Sequence, residues 1–383
     1  MRTIGTAWIA TGLLAGCSQQ VLPTTAPVPA LPADSVVASL YFLGDGGRPD
    51  PKGEPVLQAL TAGLKRAPDQ SVAFFLGDNV YYGGIPDTSA SDYAESRRRL
   101  TAQVEAVVSS GARGIFLPGN HDWKGPDGWS GVLRAQKIIE EEGAGRVVQV
   151  PGNGCPGPAT LDIGPVRVVM LDTEWWLHKS GPKPEGPADG CADSAVVFDS
   201  LRSLLAGTDA KATLVAGHHP LVSGGEHGGY FSWKDYFFPL HHVVSWLWLP
   251  LPVIGAAYPA ARNAGISRQD MSNPTYHRLI DSIGAALRDV PPGAYISGHD
   301  HSLQVVDMPS GLLQLVSGGG YYGHIDFISP INGTWLALAQ SGFMRVDVTP
   351  GGRLRLAVIT VDRNGIPTEV ASRWLPSRQA IAP

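Results

Sequence analysis

The sequence lacks a long basic segment and contains only three cysteines and five methionines. Its 29 Lys and Arg residues against 34 Asp and Glu residues give a formal net charge of −5. This balance does not indicate a nucleic-acid partner, because phosphate backbones are bound by clustered basic side chains. With 383 residues, of which 43% are hydrophobic and 16% charged, the chain can build one large globular domain or two small ones.

The N-terminus has the pattern of a secretory signal. An uncharged stretch from Thr3 to Leu14 is too short to span a bilayer, and small residues follow it up to Cys17. The tetrad 14–17, Leu-Ala-Gly-Cys, resembles the bacterial lipobox, in which the cysteine is acylated and becomes the mature N-terminus. We therefore expect a lipoprotein signal peptide at 1–16 and a lipid anchor at Cys17. The alternative is an ordinary signal peptide that is cleaved elsewhere.

Residues 17–35 are rich in Pro, Ala and Thr, a composition that is typical of an extended tether. Ser18 follows the cysteine, which by resemblance to lipoprotein sorting rules favours the outer membrane over retention in the inner membrane. The expected location is therefore the bacterial envelope after export across the inner membrane, with an anchor in the outer membrane and the domain in the periplasm.

The two remaining cysteines, Cys155 and Cys191, can pair in an oxidising compartment. A bridge that closes the loop between them would stabilise the fold by roughly 3 to 4 kcal/mol on the chain-entropy model. The alternative is a pair of free buried thiols.

From Val36 onwards, short apolar strands alternate with helical stretches. Helical patterns lie around 55–66, 90–110, 131–142, 194–206 and 275–289. The alternation predicts an α/β sandwich in which ligands bind at the carboxyl ends of the strands. The C-terminal third contains one strand after another and is expected to complete a second sheet.

One segment, 230–273, departs from this alternation. It is uncharged over 237–261, and prolines and histidines in that part argue against a spanning helix. The first interpretation is an insertion that folds over the domain and is partly buried. The alternative is a flap that contacts a membrane through 241–260 or lines the substrate pocket, because Trp246 and Trp248 suit an interface.

Acidic, amide, phenolic and imidazole side chains stand where the predicted strands end. Strand ends at one edge of a sheet converge, so these side chains should meet in one pocket, where the carboxylates alone would repel one another. Cations resolve that repulsion, and oxygen and nitrogen ligands without thiolate suit iron, manganese or zinc. The residues are Asp45, Asp78, Tyr81, Asn120, His121, His218, His299 and His301.

Five motifs in fixed order resemble the metallophosphoesterase superfamily, and specifically the purple acid phosphatases of the small, tartrate-resistant type. They are GDGG at 44–47, GDNVYYGG at 77–84, GNHD at 119–122, VAGHHP at 215–220 and GHDH at 298–301. The superfamily usually begins with Asp-x-His, whereas here Gly47 holds the histidine position and Tyr81 follows Asp78 by three residues. The resemblance covers residues 40–320 and implies a four-layer α-β-β-α sandwich of two packed mixed sheets flanked by helices.

The resemblance also implies a site for two metal ions. One ion, Fe(III) in the family, would be held by Asp45, Asp78, Tyr81 and His301. The other, Fe(II), Zn or Mn, would be held by Asp78, Asn120, His218 and His299. Two further histidines, His121 and His227, are candidates to protonate the leaving alkoxide or to bind phosphate oxygens, although each could instead only orient its neighbours. Asp122 and Asp172 are interpreted as structural, and the role of His219 stays open.

The expected function is that of a hydrolase, an acid phosphatase in which a metal-bound hydroxide attacks a phosphate monoester. The metallophosphoesterase catalytic domain would span 36–376. One alternative is a phosphodiesterase or pyrophosphatase on the same two metals, because the motifs do not define the leaving group. Another is an envelope lipoprotein that uses the fold only for binding.

Overall fold

The computed structural model describes residues 19–376 except for 126, 180, 239, 241–246 and 252–254. The predicted signal peptide and the Cys17 anchor lie outside the described residues, as does Trp246, so these assignments stay predictions. None of the helices in the described part of the chain is long and apolar enough to cross a membrane.

Within the described residues, fourteen strands form two seven-stranded sheets. The strands are β1 (Ala38–Leu43), β2 (Ser71–Phe75), β3 (Arg113–Phe116), β4 (Val147–Gln149), β5 (Ala159–Ile163), β6 (Val166–Met170), β7 (Ala212–Ala216), β8 (Tyr295–Ser297), β9 (Leu303–Asp307), β10 (Leu313–Ser317), β11 (Thr334–Leu338), β12 (Gly342–Val348), β13 (Leu354–Val361) and β14 (Pro367–Trp374). The first sheet has the order β14-β13-β12-β1-β2-β3-β4, and the second has the order β11-β9-β10-β8-β7-β6-β5.

Two of the longer helices begin at a side-chain cap followed by proline. Glu54 accepts a hydrogen bond from the Val56 N–H at the start of the first helix, and Pro55 occupies its first position. Asn273 caps the last helix in the same way. The helices are α1 (Pro55–Leu64), α2 (Tyr93–Val108), α3 (Gly128–Glu142), α4 (Glu174–Leu177), α5 (Val197–Ala206), α6 (Trp233–Phe237), α7 (Ala257–Asn263) and α8 (Pro274–Leu287).

Helices and sheets stack in four layers, which confirms the predicted fold class. Apolar residues of both sheets, among them the stacked rings of Phe42 and Phe74, form the central core between the sheets. Side chains of α1, α2 and α3 cover the outer face of the first sheet, and those of α5 and α8 cover the second. Truncation of a buried ring in such a core costs about 3–5 kcal/mol.

Parallel pairing brings several strand ends to one edge of the molecule. In the first sheet β1, β2, β3 and β4 run parallel, and in the second sheet β6, β7, β8 and β10 do so. The Gly44 N–H at the end of β1 donates to the Ser317 carbonyl at the end of β10, which joins the two sheets at this edge. The loops after these strands therefore face one another.

The C-terminal strands do not all join the second sheet, so that expectation was wrong in part. β9 and β10 belong to the second sheet, but β12 pairs antiparallel with β1 and carries β13 and β14 into the first. The pairing Ala38↔Val348 joins opposite ends of the chain. Apolar periodicity reports burial and not the partner, so it could not distinguish the two sheets.

Cys155 and Cys191 form a disulfide with Cα atoms 5.4 Å apart, which confirms the predicted pair.

The predicted tether contacts the domain in its described part. The Gln19 N–H donates to the Ile328 carbonyl at 3.0 Å, and the guanidinium of Arg355 donates to the Val28 carbonyl at 2.7 Å. The described part of this stretch thus contacts the domain, while its assignment as a tether stays a prediction.

The apolar insertion contains α6 and α7, which pack against each other. Phe231 is buried beneath them, in agreement with a partly buried insertion, whereas Trp233, Trp248 and Leu249 are between 45% and 49% exposed. The contact of 241–260 with a membrane stays a prediction.

Candidate metal centre

The predicted ligands lie in the loops that follow β1, β2, β3, β7 and β8. Three of them, Asp45, Asp78 and His299, have left-handed backbone conformations with φ of 62°, 54° and 74°. Such conformations cost of order 1–3 kcal/mol at a residue with a side chain and persist where surrounding contacts hold them. Here the Asp45 N–H donates to the Gly77 carbonyl, and the His299 N–H donates to Asp45 Oδ2 at 2.8 Å. The sharp turns direct these side chains to the common edge of the two sheets.

The first group of side chains is rich in oxygen. Tyr81 Oη lies 3.2 Å from Asp45 Oδ1 and 3.0 Å from His301 Nε2. His301 Nε2 lies 3.7 Å from Asp45 Oδ1. A carboxylate, a phenol and an imidazole thus meet at the ends of β1, β2 and β8.

The second group is richer in nitrogen. Asn120 Oδ1 lies 3.0 Å from His218 Nε2 and 3.0 Å from His299 Nδ1. Asp78 joins this group to the first, because its Oδ1 lies 3.5 Å from His218 Nε2 and its ligand atoms also approach those of Asp45. All seven predicted metal ligands therefore lie close together at this edge of the sheets, while their assignment to two ions stays a prediction.

Hydrogen bonds on the far side of the imidazoles determine which nitrogen faces the centre. His218 Nδ1 lies 2.8 Å from the Leu76 carbonyl oxygen, and His299 Nε2 lies 2.9 Å from the Gln269 carbonyl oxygen, so these nitrogens carry the protons and donate. The other nitrogen of each ring then presents a lone pair to the oxygen of Asn120. Lone pairs that converge with no proton between them fit a cation, and outer hydrogen bonds of this kind are typical of histidine ligands.

His301 is oriented by a residue that sequence reasoning missed. Its Nδ1 lies 2.6 Å from Asp326 Oδ2, which leaves Nε2 towards Tyr81 and Asp45. Burial alone would lower the pKa of His301, but Asp326 and the carboxylates of the centre raise it to about 10, so the ring becomes neutral and able to bind a metal only beside a strong positive charge. Asp326 follows β10, the parallel neighbour of β8, so the strand-end rule that found the other residues also applies to it.

The acids and the phenol of the centre strongly affect one another. Burial and the neighbouring Asp78 raise the pKa of Asp45 well above its ordinary value. Burial would raise the pKa of Asp78 as well, but the imidazoles of His218 and His121 lower it to about 2. Burial and the two carboxylates raise the pKa of Tyr81 far above its ordinary value, so the phenol loses its proton only beside a strong positive charge.

The donor atoms fit two different cations. Burial lowers the pKa of His218 and that of His299, which keeps both imidazoles neutral, as metal ligation requires. The first group, with its carboxylates and phenol, suits a hard trivalent ion. The second, with two imidazoles and an amide oxygen, suits a divalent ion such as zinc, manganese or ferrous iron.

Close packing explains the glycine in the first motif. A Cβ atom on Gly47 would lie 2.5 Å from the carbonyl oxygen of Asp78 and 2.6 Å from the backbone nitrogen of Val80. The loop that carries Asp78 and Tyr81 therefore occupies the space that a larger side chain at position 47 would need.

Asp122 holds two ligand loops together, in agreement with a structural role. Its carboxylate accepts hydrogen bonds from the N–H groups of Asn79, Val80 and Gly119, at 3.1, 3.2 and 2.8 Å. Asp172, also interpreted as structural, accepts a hydrogen bond from Trp123 Nε1 at 2.9 Å. Burial raises the pKa of Asp122 to about 7 and that of Asp172 to about 8.

His219 lies beside the second group, but both of its ring nitrogens have protein partners. Nδ1 lies 2.7 Å from Thr173 Oγ1, and Nε2 lies 2.8 Å from Gln269 Oε1. His219 is close enough to His218 and His299 to share a cation with them, but its contacts with Thr173 and Gln269 occupy both ring nitrogens.

His121, the first predicted catalytic histidine, borders the centre. Its N–H donates to Asp78 Oδ1 at 2.8 Å, and its Nε2 lies 3.9 Å from Asp78 Oδ2. Its Nδ1 lies 3.1 Å from the Tyr82 carbonyl oxygen, which fixes the ring with Nε2 on the side of the centre.

His227, the second, is positioned by the insertion. Its ring stacks on His299 with centroids 3.8 Å apart, and its Nδ1 lies 3.0 Å from Asp270 Oδ1. Arg262 of α7 donates to both oxygens of Asp270, at 2.5 and 2.6 Å. Neither Arg262 nor Asp270 was identified from the sequence, because the insertion has no regular pattern from which a fold could be predicted.

His324 is a further residue that the sequence reasoning missed. Its ring lies 3.8 Å from that of His301 and stacks on Tyr321 with centroids 4.5 Å apart. Burial and the neighbouring His301 lower its pKa to about 3. It follows β10 and thus also obeys the strand-end rule.

A sequence model of the calcineurin-like phosphoesterase family matches residues 40–303. A comparison with curated protein sequences found no match.

Two solved structures have a similar fold. GAP50, the anchor in the inner membrane complex of Plasmodium, is 14% identical with a TM-score of 0.54, and the match covers 90% of this chain and 90% of that chain. The purple acid phosphatase PPD1 from yellow lupin (Lupinus luteus) seeds is 16% identical with a TM-score of 0.55, and the match covers 90% of this chain but 54% of that chain. At these identities the likeness shows the fold alone.

Proposed function

The chain belongs to the calcineurin-like phosphoesterase family, and on that basis we propose that it is a two-metal acid phosphatase that hydrolyses phosphate monoesters. Membership gives the reaction class, hydrolysis of phosphate esters, and a dependence on two metal ions. The monoester preference and the likeness to small purple acid phosphatases are the finer parts of the proposal. The observation that carries the likeness is Tyr81 Oη between Asp45 and His301, in a loop packed against Gly47, and the monoester preference is proposed from that likeness.

The two groups of side chains would each hold one ion. Fe(III) would bind Asp45, Asp78, Tyr81 and His301, and Fe(II), Zn or Mn would bind Asp78, Asn120, His218 and His299. The pair of cations would lower the pKa of a water molecule and neutralise charge on the phosphate.

The histidines at the border of the centre would handle protons. His121 donates Nδ1–H to the Tyr82 carbonyl, so its Nε2 is on the side of the centre and would carry the proton for the leaving alkoxide when the ring is in its doubly protonated form. His227 donates Nδ1–H to Asp270, and in its doubly protonated form its Nε2–H would donate to a phosphate oxygen or to the leaving group. Asp270 and Arg262 act through His227 and are positioning residues.

A binding protein without catalysis is the second candidate. The fold likeness to GAP50, which is described as an anchor, favours it. The convergence of lone pairs at Asn120 favours the enzyme, because such an arrangement is unfavourable unless a cation occupies it.

The proposed location is the bacterial envelope, with Cys17 acylated and the domain facing the periplasm. The Cys155–Cys191 disulfide supports export to an oxidising compartment. Cys17→Ser should release the protein from the membrane fraction; unchanged membrane retention would contradict the lipid anchor.

The visible absorption spectrum, with metal content by elemental analysis, tests the proposed centre. We expect two metals per chain and a charge-transfer band that is lost in Tyr81→Phe but kept in Tyr82→Phe, since Tyr82 is a largely exposed neighbour. A colourless protein with two zinc or manganese ions would contradict the ferric assignment.

Turnover of a matched monoester and diester tests the substrate specificity. A kcat/KM that is more than about tenfold higher for the diester, which is about 1.4 kcal/mol in activation free energy, would contradict the proposed monoester preference.

A further inference from the structure

A cavity of about 520 Å³ adjoins the candidate metal centre. Its size lies within the range of small-molecule sites. Three separate segments form its wall: the loop after β3, the region from α4 to 179, and the end of the insertion. They contribute, among others, Asn120, Lys124, Glu174, Lys179, Arg268 and Gln269.

The cavity begins at the second group of the centre. Asn120 lines it and contacts both His218 and His299 through Oδ1. Gln269 also lines it, and its carbonyl oxygen accepts from His299 Nε2. A phosphate bound at the centre would therefore place a neighbouring part of the same molecule in this cavity.

The wall of the cavity is basic. Lys124, Lys179 and Arg268 line it, and among the described residues none of the three forms an ion pair with a carboxylate. The guanidinium of Arg268 donates to the His178 carbonyl at 3.3 Å, which ties it to the wall. Arg268 lies near the carboxyl group of Glu174, but cations that form no ion pair with a carboxylate are available to an anionic ligand.

The carboxyl group in the wall adds little opposing charge. Glu174 is buried, and its Oε2 accepts a hydrogen bond from Gln269 Nε2 at 3.0 Å. Burial and the neighbouring Asp172 and Asp78 raise the pKa of Glu174 well above its ordinary value. The cavity therefore presents a net positive wall beside the centre.

We propose that this basic cavity binds a second anionic group of the substrate, so that the preferred substrates are phosphate esters whose leaving group carries a further phosphate. This inference rests on the proposed phosphatase function and names its substrate class. A single phosphate is neutralised by the two metals and the histidines at their border, and it would not require three additional cations.

The test compares butyl phosphate with butane-1,4-diol bisphosphate, which share the reacting ester and differ in the second phosphate. For the metal-loaded protein we expect kcat/KM to be at least about tenfold higher for the bisphosphate, after correction for its two ester groups, which corresponds to 1.4 kcal/mol. In Lys179→Met/Arg268→Met the ratio of the two kcat/KM values should fall to about one. Lys137→Met, which changes an exposed lysine on α3, should keep the wild-type ratio.

The outcomes separate the cavity from the proposed function. Turnover of butyl phosphate without a preference for the bisphosphate, or a preference that survives in the double variant, would overturn the proposal on the cavity alone. Absence of turnover on both esters would contradict the proposed function. Calorimetric binding of the two esters to wild type and double variant would then decide the cavity: equal affinities overturn it, and a bisphosphate preference lost in the double variant supports it.

Discussion

The candidate centre and the insertion at its border are built in different ways. In the centre, buried side chains such as Asp45 and Asp78 stand on short turns after parallel strands, and backbone hydrogen bonds hold each turn. The insertion reaches the same place with side chains, Arg262 and Asp270, from a segment in which aromatic residues such as Trp233 and Trp248 are almost half exposed. The ligand turns of the centre are therefore positioned by the backbone of the sheets, whereas the insertion is positioned at the centre by side-chain contacts.

This difference suggests that the two regions affect different properties, the reaction itself and the preference among substrates. The sheets position the atoms that hold metals, and a shift there would affect any phosphate ester. The insertion orients His227 and ends in the wall of the basic cavity, so changes there should alter rates and preferences more selectively. Variants in the centre should therefore change metal content, whereas variants in the insertion should change rates with the metals retained.

The largest effect is expected at the residue shared by both groups of the centre. Asp78→Asn removes a charge that both metals require, so we expect fewer than two metals per chain. The loss of kcat/KM should exceed the roughly 100-fold that removal of an orienting residue costs. Elemental analysis and turnover check this, with Asp69→Asn, an exposed acid before β2, as the control. Full metal content with normal turnover would remove Asp78 from the centre.

A smaller effect is expected where the insertion positions His227. Asp270→Asn weakens the hydrogen bond to His227 Nδ1, and we expect kcat to fall by about 10- to 100-fold while the metal content stays unchanged. The control is Asp281→Asn, which changes an exposed Asp–His pair of the same 3.0 Å distance on α8.

A double-mutant cycle distinguishes positioning from a general structural effect. If Asp270 acts through His227, then His227→Ala/Asp270→Asn should lose no more activity than His227→Ala alone. Asp270→Glu should recover part of kcat. Additive losses, or metal release in Asp270→Asn, would show that the insertion supports the centre itself and would break the proposed separation.

The close packing around Gly47 predicts a loss of stability when this glycine is replaced. Gly47→Ala would force a Cβ against the Asp78 carbonyl, and we expect the free energy of unfolding to fall by about 1–3 kcal/mol. The matched control is Gly284→Ala in α8, where a Cβ meets nothing within 4 Å. That variant should be neutral or gain about 0.5–1 kcal/mol. Denaturant unfolding of both variants measures the difference, and equal values would contradict a tightly packed loop at Asp78.

The centre could be predicted from the sequence because its residues obey a local rule. Asp45, Asp78, Asn120, His218 and His299 each follow an apolar strand directly, and parallel strand ends converge. The same rule extends to Asp326 and His324, which were missed because "GYYGHID" stands several residues beyond the end of β10 and matches none of the recognised motifs.

The border of the centre could not be predicted in this way. Asp270 and Arg262 meet His227 through contacts that span 43 and 35 residues of a segment without periodicity. For a similar reason, the sequence did not assign β12 to the first sheet, since pairing with β1 depends on a partner at the other end of the chain. Burial patterns are local properties, whereas partners of this kind are set by the whole fold.

The smallest effect is expected at the exposed aromatic residues of the insertion. Trp233→Ser/Trp248→Ser should change the free energy of unfolding by no more than about 0.5 kcal/mol, because both side chains are almost half exposed. If this surface contacts a membrane, the variant should bind lipid vesicles severalfold more weakly than wild type. The control is Ile366→Ser, which changes an exposed apolar residue in the turn between β13 and β14 and should bind vesicles as wild type does. If it instead lines a path for bulky esters, kcat/KM for naphthyl phosphate should fall relative to ethyl phosphate with vesicle binding unchanged. A variant that matches wild type in both measurements would contradict both roles for the exposed aromatic residues. The insertion would then affect function only through Arg262 and Asp270, which position His227.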